Sequence, residues 1–180
     1  MSADDHQPSR RFPQQDCPAV HLIVPIKPLH RAKSRLLGAA DAGARSPVAH
    51  AELVAAVALD TVAAARRAEG VAGVVVITSD PRLTAEFTAA GVDVIPDSPA
   101  AGLNAALRHG DAELRVARIG ALQADLPALQ PDDLAAALRA AGADRSFCPD
   151  RHGTGTTLLL AEPGRPLAPR FGPGWACSSV

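Results

Sequence analysis

The sequence predicts an α/β three-layer sandwich built on a largely parallel sheet. Three observations carry that reading. Short apolar runs rich in β-branched residues recur along the chain, segments with apolar residues at three- and four-residue steps separate them, and proline, acids and glycine mark the ends of those segments. At 180 residues, 47% hydrophobic and 21% charged, the chain is long enough to bury a core as one domain, and disorder throughout is excluded.

Val20 to Ile26 (VHLIVPI) is too short for a helix and reads as a buried strand. A basic loop follows, from Lys27 to Leu36. Between Pro47 and Glu69 the residues Leu53, Val54, Val57, Ala58, Thr61 and Val62 form an apolar helical stripe, and Gly70 is its stop. Val71 to Thr78 is a second strand. Asp80 and Pro81 then supply a cap and a first-turn proline for a helix that ends at Gly91. Val92 to Ile95 is a third strand, followed by a loop to Gly102 and a helix from about Leu103. Val116 to Gln123 forms a fourth strand, and Pro131, Asp132 and Asp133 open a helix closed by Gly142. Ser146 to Cys148 and Thr156 to Ala161 are two more short strands, and the segment from Glu162 onward is irregular.

Composition narrows the function. Eighteen Lys and Arg stand against nineteen Asp and Glu, a net charge of −1, and only 3% of residues are aromatic. A nucleic-acid binder would carry a basic surplus or stacking platforms. No uninterrupted apolar run reaches the ~18 residues expected of a bilayer span. Cys17, Cys148 and Cys177 are odd in number and scattered, which fits a reducing compartment without a disulfide framework or zinc site. Ser9-Arg10-Arg11-Phe12 has the form of a twin-arginine signal, but Pro13-Gln14-Gln15-Asp16 follows where an apolar region belongs. Residues 1–18 therefore read as a disordered leader of a cytoplasmic protein, with residues 19–180 forming a single domain.

In such a fold the ligand site lies at the carboxyl ends of the strands. That rule selects Lys27 to Arg35, Thr78 to Pro81, Pro96 to Asn104 and Ala124 to Pro127. Lys27, Lys33 and Arg35, with Arg31 beside them, suit a triphosphate, although a solvated basic loop would look alike. Asp125 directly follows a buried strand, where either a magnesium carboxylate or a turn aspartate belongs. Gly153-Thr154-Gly155-Thr156-Thr157 lacks the third glycine of a dinucleotide fingerprint and precedes a strand, so it reads equally as an anion-wrapping loop or a hairpin turn. No Walker loop is present.

Taken together, these residues resemble a known family. The run Val24-Pro25-Ile26-Lys27-Pro28-Leu29, continued by Ala32-Lys33-Ser34-Arg35-Leu36, is similar to the opening motif of the CofC/FbiD guanylyltransferases of coenzyme F420 biosynthesis. The likeness continues through Leu59-Asp60-Thr61-Val62, Ile77-Thr78-Ser79-Asp80, Gly102-Leu103-Asn104, Ala124-Asp125-Leu126-Pro127, Asp150 to Thr157, and Pro169-Arg170-Phe171-Gly172-Pro173. Rival enzymes of the same fold, the molybdenum-cofactor nucleotidyltransferases and sugar-1-phosphate transferases, open with a glycine-rich loop absent from residues 24 to 36.

The resemblance implies a nucleotide-diphospho-sugar transferase fold, GT-A-like and Rossmann-like, that moves GMP from GTP onto phosphoenolpyruvate. 2-Phospho-L-lactate and 3-phosphoglycerate are alternative acceptors. Mg²⁺ would sit on Asp125, with Asp150 as a second carboxylate. Lys27 and Lys33 would bind GTP and stabilise departing pyrophosphate, supported by Arg35, while Asp80 and Gly102 would contact GTP and Asn104 its base or ribose. Thr154, Thr156 and Gly172 would hold the acceptor. The next transferase of the F420 pathway is an expected partner.

Two departures from the family pattern stand out. Trp175 occupies a position where the family has serine. The family's later acidic segment has no counterpart here, so a non-catalytic nucleotide-binding remnant is the competing expectation.

Overall fold

The computed structural model describes residues 18–31, 42–43, 45–98 and 100–171. Residues 1–17 of the leader, Lys33, Arg35, Gly172 and Trp175 lie outside the described residues. Six strands form one sheet: β1 (Val20–Pro25), β2 (Val71–Ile77), β3 (Asp93–Ile95), β4 (Ile119–Leu122), β5 (Ser146–Pro149) and β6 (Thr156–Leu160). Their spatial order is β3-β2-β1-β4-β6-β5. β1, β2, β3 and β4 run parallel, whereas β6 is antiparallel to both β4 and β5.

The helices are α1 (Pro47–Arg67), α2 (Pro81–Ala89), α3 (Leu103–Leu114) and α4 (Pro131–Ala141), with a 3₁₀ turn at Leu29–Arg31 that the sequence pattern did not reveal. Local chemistry sets their ends. Ser46 caps α1 by accepting the Ala49 N–H, Pro47 occupies the first turn, and Arg66 and Arg67 stand in the last turn, where the helix dipole favours cations. At α4, Pro131 begins the helix and Asp133 accepts the Gln130 N–H.

Strand alternation divides the core between the two faces of the sheet. Leu22 and Val24 of β1 pack with Ala58, Val62 and Ala65 of α1, Leu83 and Phe87 of α2, and Leu134 and Leu138 of α4. Ile23 points the other way, toward Ile77, Leu107 of α3 and Leu167. The sheet is thus covered by three helices on one side and by α3 with the segment around Leu167 on the other. A close approach of α3 makes Gly110 necessary, since a Cβ there would lie 2.6 Å from Ile77 Cδ1 and 3.0 Å from Ile23 Cδ1.

Two expectations need correction. β4 begins at Ile119, not Val116, because the chain first turns out of α3 through Arg115 in the left-handed region (φ 43°). Helix α1, at 21 residues, is long and apolar enough by length and composition to cross a bilayer, despite its Glu52 and Asp60. In this fold its alanine- and valine-rich face is instead the main cover of the sheet, with Ala55, Ala58, Thr61, Val62, Ala64 and Ala65 buried.

Candidate active site

The loops after β1, β2, β3 and β4 all leave the same end of the sheet, as parallel strands require. The β5–β6 turn joins them, because β6 runs back along β4 with Leu122 paired to Leu158. Strand order reverses direction at β1, which has β2 on one side and β4 on the other, and in open α/β sheets this switch point is where ligands bind. Lys27 stands exposed in the loop after β1 and Asp125 in the loop after β4. Among the described residues neither side chain has an ion pair or hydrogen-bond partner, so both charges remain available to a ligand.

Asp125 is free, but its loop is not. Thr61, fully buried in α1, donates its hydroxyl to the Val57 carbonyl at 2.8 Å and accepts the Leu126 N–H at 3.1 Å. Leu129 N–H then closes back onto the Leu126 carbonyl at 3.0 Å. From the other side Gln123 donates its backbone N–H to Thr157 O and its side-chain amide to Thr156 O. This fixes the β6 start beside the Asp125 loop, and Thr156 is buried there. Its hydroxyl makes no hydrogen bond among the described residues.

Three expected ligand contacts have their polar atoms engaged by the protein itself. Asp80 is buried; Oδ1 accepts the N–H groups of Arg82 and Leu83, and Oδ2 that of Leu29 at 2.8 Å. It caps α2 and ties the β1 loop to the β2 loop. Asn104 donates Nδ2 to the Phe171 carbonyl and accepts the Phe171 N–H on Oδ1, both at 2.8 Å. Its amide therefore anchors the segment beyond Leu167. Asp150 Oδ1 accepts the N–H groups of His152 and Thr154, each at 3.0 Å, and the Thr154 hydroxyl lies 3.5 Å from Oδ2.

The Gly/Thr stretch forms the turn of the antiparallel β5–β6 hairpin, and two N–H groups of that turn are taken by the Asp150 carboxylate. The backbone N–H groups of Thr154, Gly155 and His152 hold the Asp150 carboxyl below the usual carboxylate range, against a smaller opposing effect of burial. Gly155 leaves room for this carboxylate, since a Cβ there would lie 2.7 Å from Asp150 Oδ2 and the side chain would have to move. Gly102 (φ 94°) opens α3 in a conformation that side chains rarely adopt.

Among the described residues no group of three or more His, Cys, Asp or Glu side chains gathers as a metal cage. That donor set still suits Mg²⁺, which is commonly held by one or two carboxylates plus substrate phosphates. Asp125 offers such a carboxylate.

A family model described as guanylyl transferase CofC like matches residues 20–172. The chain belongs to this family. A phosphoenolpyruvate guanylyltransferase of Thermomonospora curvata is 51% identical over 158 residues, spanning 85% of this chain and 67% of the relative. One from Streptomyces scabiei is 51% identical over 162 residues, spanning 85% and 73%.

Solved structures agree on the fold. A protein of Desulfovibrio desulfuricans G20 assigned to the nucleotide-diphospho-sugar transferases superimposes with a TM-score of 0.62 at 17% identity, covering 81% of this chain and 64% of its own. A nucleotidyl transferase from Methanothermobacter gives 0.53 at 18% identity, covering 80% and 71%. The CofC-like guanylyl transferase chain thus has the nucleotide-diphospho-sugar transferase architecture that its sequence implied, and the matched residues include the β1 loop that carries Lys27.

Proposed function

We propose that the chain transfers GMP from GTP onto phosphoenolpyruvate, the step that feeds coenzyme F420 biosynthesis, as a single domain over residues 19–180. The observation that carries this reading is the exposed carboxylate of Asp125 in the loop after β4, anchored next door at Leu126 and at the same end of the sheet as the β1 loop of Lys27, within a CofC-like guanylyl transferase chain. The relatives' acceptor, phosphoenolpyruvate, comes to this chain by their similarity.

A phosphate oxygen of the acceptor attacks the α-phosphorus of GTP. The new P–O bond forms as the bond to the α,β-bridging oxygen breaks, and pyrophosphate leaves with that electron pair. The products are enolpyruvoyl-diphospho-guanosine and pyrophosphate. The acceptor's phosphate is largely dianionic at neutral pH, so no side chain has to remove a proton. Catalysis is then a matter of alignment and charge.

Lys27, with Lys33 and Arg35 assigned by the family motif, neutralises the triphosphate and the departing pyrophosphate. Asp125 would hold Mg²⁺, which would supply charge neutralisation to the phosphate oxygens. Thr61 and Gln123 keep the Asp125 loop and the β6 start in register. The Thr156 hydroxyl, with Gly172, receives the acceptor, while Thr154 and Asp150 keep the neighbouring turn closed. This reading places the chain in the cytoplasm with its two small phosphorylated substrates.

The test is a comparison of acceptors. Phosphoenolpyruvate, 2-phospho-L-lactate and 3-phosphoglycerate are supplied separately with GTP and Mg²⁺, and the guanylylated product is identified by mass. Product from phosphoenolpyruvate at the highest kcat/KM supports the reading; preference for another acceptor overturns the substrate assignment.

A further inference from the structure

The segment after β6 runs along α3. Leu167, fully buried, donates its backbone N–H to Asp111 Oδ2 at 2.9 Å. Four residues on, Phe171 exchanges two 2.8 Å bonds with the Asn104 amide. Asn104 and Asp111 are seven positions apart in α3, two turns, so they share a face and lie about 10 Å apart along the axis. Four residues of extended chain reach about 13 Å, so Leu167 to Phe171 spans the two anchors with little slack.

The direction of that run matters. α3 joins β3 to β4, which are parallel, so it returns against the strands and its first turn, with Asn104, stands at their carboxyl end. The segment therefore climbs from the amino end of the sheet to the end where the loops of Lys27 and Asp125 gather. Its lower part has several holds. Gly164 N–H donates to the Ala117 carbonyl at 2.8 Å, and Arg145 donates to the carbonyls of Leu167 and Ala168 at 2.8 and 3.2 Å. Asn104 ties the upper end, offering Phe171 both a donor and an acceptor as a facing strand would. Phe171 directly precedes Gly172, which the reading above assigns to the acceptor.

We infer that Asn104 is a positioning residue for the acceptor: acting through the main chain of Phe171, it holds the end of this segment at the carboxyl end of the sheet, so that affinity for the acceptor depends on it and affinity for GTP does not. The inference rests on the guanylyltransferase reading and deepens its acceptor half. It moves Asn104 from the nucleotide, where the family resemblance put it, to the second substrate. Turning the amide toward a base or ribose would break both bonds and leave the Phe171 N–H and carbonyl without this partner. Without the pairing, the segment end spends part of its time elsewhere, and the apparent acceptor affinity falls by that fraction.

The experiment separates the two substrates by binding alone. Equilibrium dialysis measures GTP with Mg²⁺, and then phosphoenolpyruvate in the presence of α,β-methylene GTP, which cannot release pyrophosphate. The chains compared are the wild type, Asn104→Ala, Asn104→Leu, which keeps the bulk of the side chain, and Asp111→Ala, which frees the lower anchor; circular dichroism checks that each is folded. Both Asn104 variants are expected to bind phosphoenolpyruvate roughly tenfold more weakly, the worth of the lost pair, with GTP within about twofold of wild type. Asp111→Ala should leave both ligands within about threefold, since Arg145 and Ala117 still hold that part of the segment.

Undiminished phosphoenolpyruvate binding in a folded Asn104 variant overturns the inference, and so does weakened GTP binding with the acceptor unmoved. An equal loss of both ligands, or an acceptor loss in Asp111→Ala as large as in Asn104→Ala, overturns it as well, because a general loosening would then explain the effect. A wild-type chain that binds 2-phospho-L-lactate or 3-phosphoglycerate in preference to phosphoenolpyruvate overturns the acceptor assignment alone, and the preferred acid then takes its place in the same comparison. A wild-type chain that binds GTP and none of the three acids overturns both.

Discussion

The Leu29 backbone N–H donates to Asp80 Oδ2 at 2.8 Å, joining two loops that lie 51 positions apart in sequence. The other oxygen of the same carboxylate caps α2, so one buried side chain fixes both a helix start and the loop that carries Lys27. Asp80→Ala removes a cap and leaves the buried Leu29 N–H without an acceptor. The expected destabilisation is about 2–4 kcal/mol, measured by urea unfolding. Asp80→Asn keeps one acceptor and should lose less; equal losses for both would show that the Leu29 bond contributes little.

Thr61→Val preserves the shape of the side chain and removes the acceptor for the Leu126 N–H. The folded chain should lose about 1–2 kcal/mol of stability. A purely structural defect would stop there. If Thr61 positions the Asp125 loop, the Mg²⁺ concentration needed for half-maximal activity rises as well, and Thr61→Ser restores it.

The Asn104 pairing with Phe171 uses one donor and one acceptor of the side-chain amide. Asn104→Asp keeps the acceptor but sets an oxygen against the Phe171 carbonyl, while Asn104→Leu removes both bonds without adding charge. Limited proteolysis of the 162–171 segment should be faster in both variants, and at least as fast in Asn104→Asp. Unchanged cleavage would mean that Leu167 and its apolar neighbours hold the segment by themselves.

Acid should open the β5–β6 turn. The Asp150 carboxyl is depressed mainly by the Thr154 N–H, so its contribution to stability is fully present above the ordinary aspartate value and is lost as pH falls through the lower folded value. Protection of the Thr154 and His152 amides, measured relative to their intrinsic exchange rates, should therefore fall as pH drops below the ordinary aspartate value. An Asp150 carboxyl titrating at or above the ordinary value by NMR would contradict the role assigned to these N–H groups.

Much of the fold was legible because the signals were local. Asp80-Pro81 and Pro131-Asp132-Asp133 marked helix starts, Gly70 and Gly142 marked ends, and β-branched runs marked β1 and β2. β4 was drawn too long because Val116 has strand propensity, and nothing nearby shows that the chain is still turning there. The site was legible as a set of loops. It was less so as a set of roles, since the same residue types serve ligands and backbone alike. Asp80, Asn104 and Asp150 have their polar atoms filled by N–H and carbonyl groups, two of them from segments distant in sequence.

The most direct test of the central claim is pyrophosphate release from GTP, with and without phosphoenolpyruvate, by the wild-type chain and by Asp125→Asn. Release that requires both Mg²⁺ and the acceptor, and that falls by at least about a hundredfold in a folded Asp125→Asn variant, is the expected result. Acceptor-independent release, or undiminished release from Asp125→Asn, would contradict the assignment of this end of the sheet as a guanylyl-transfer site organised around Asp125.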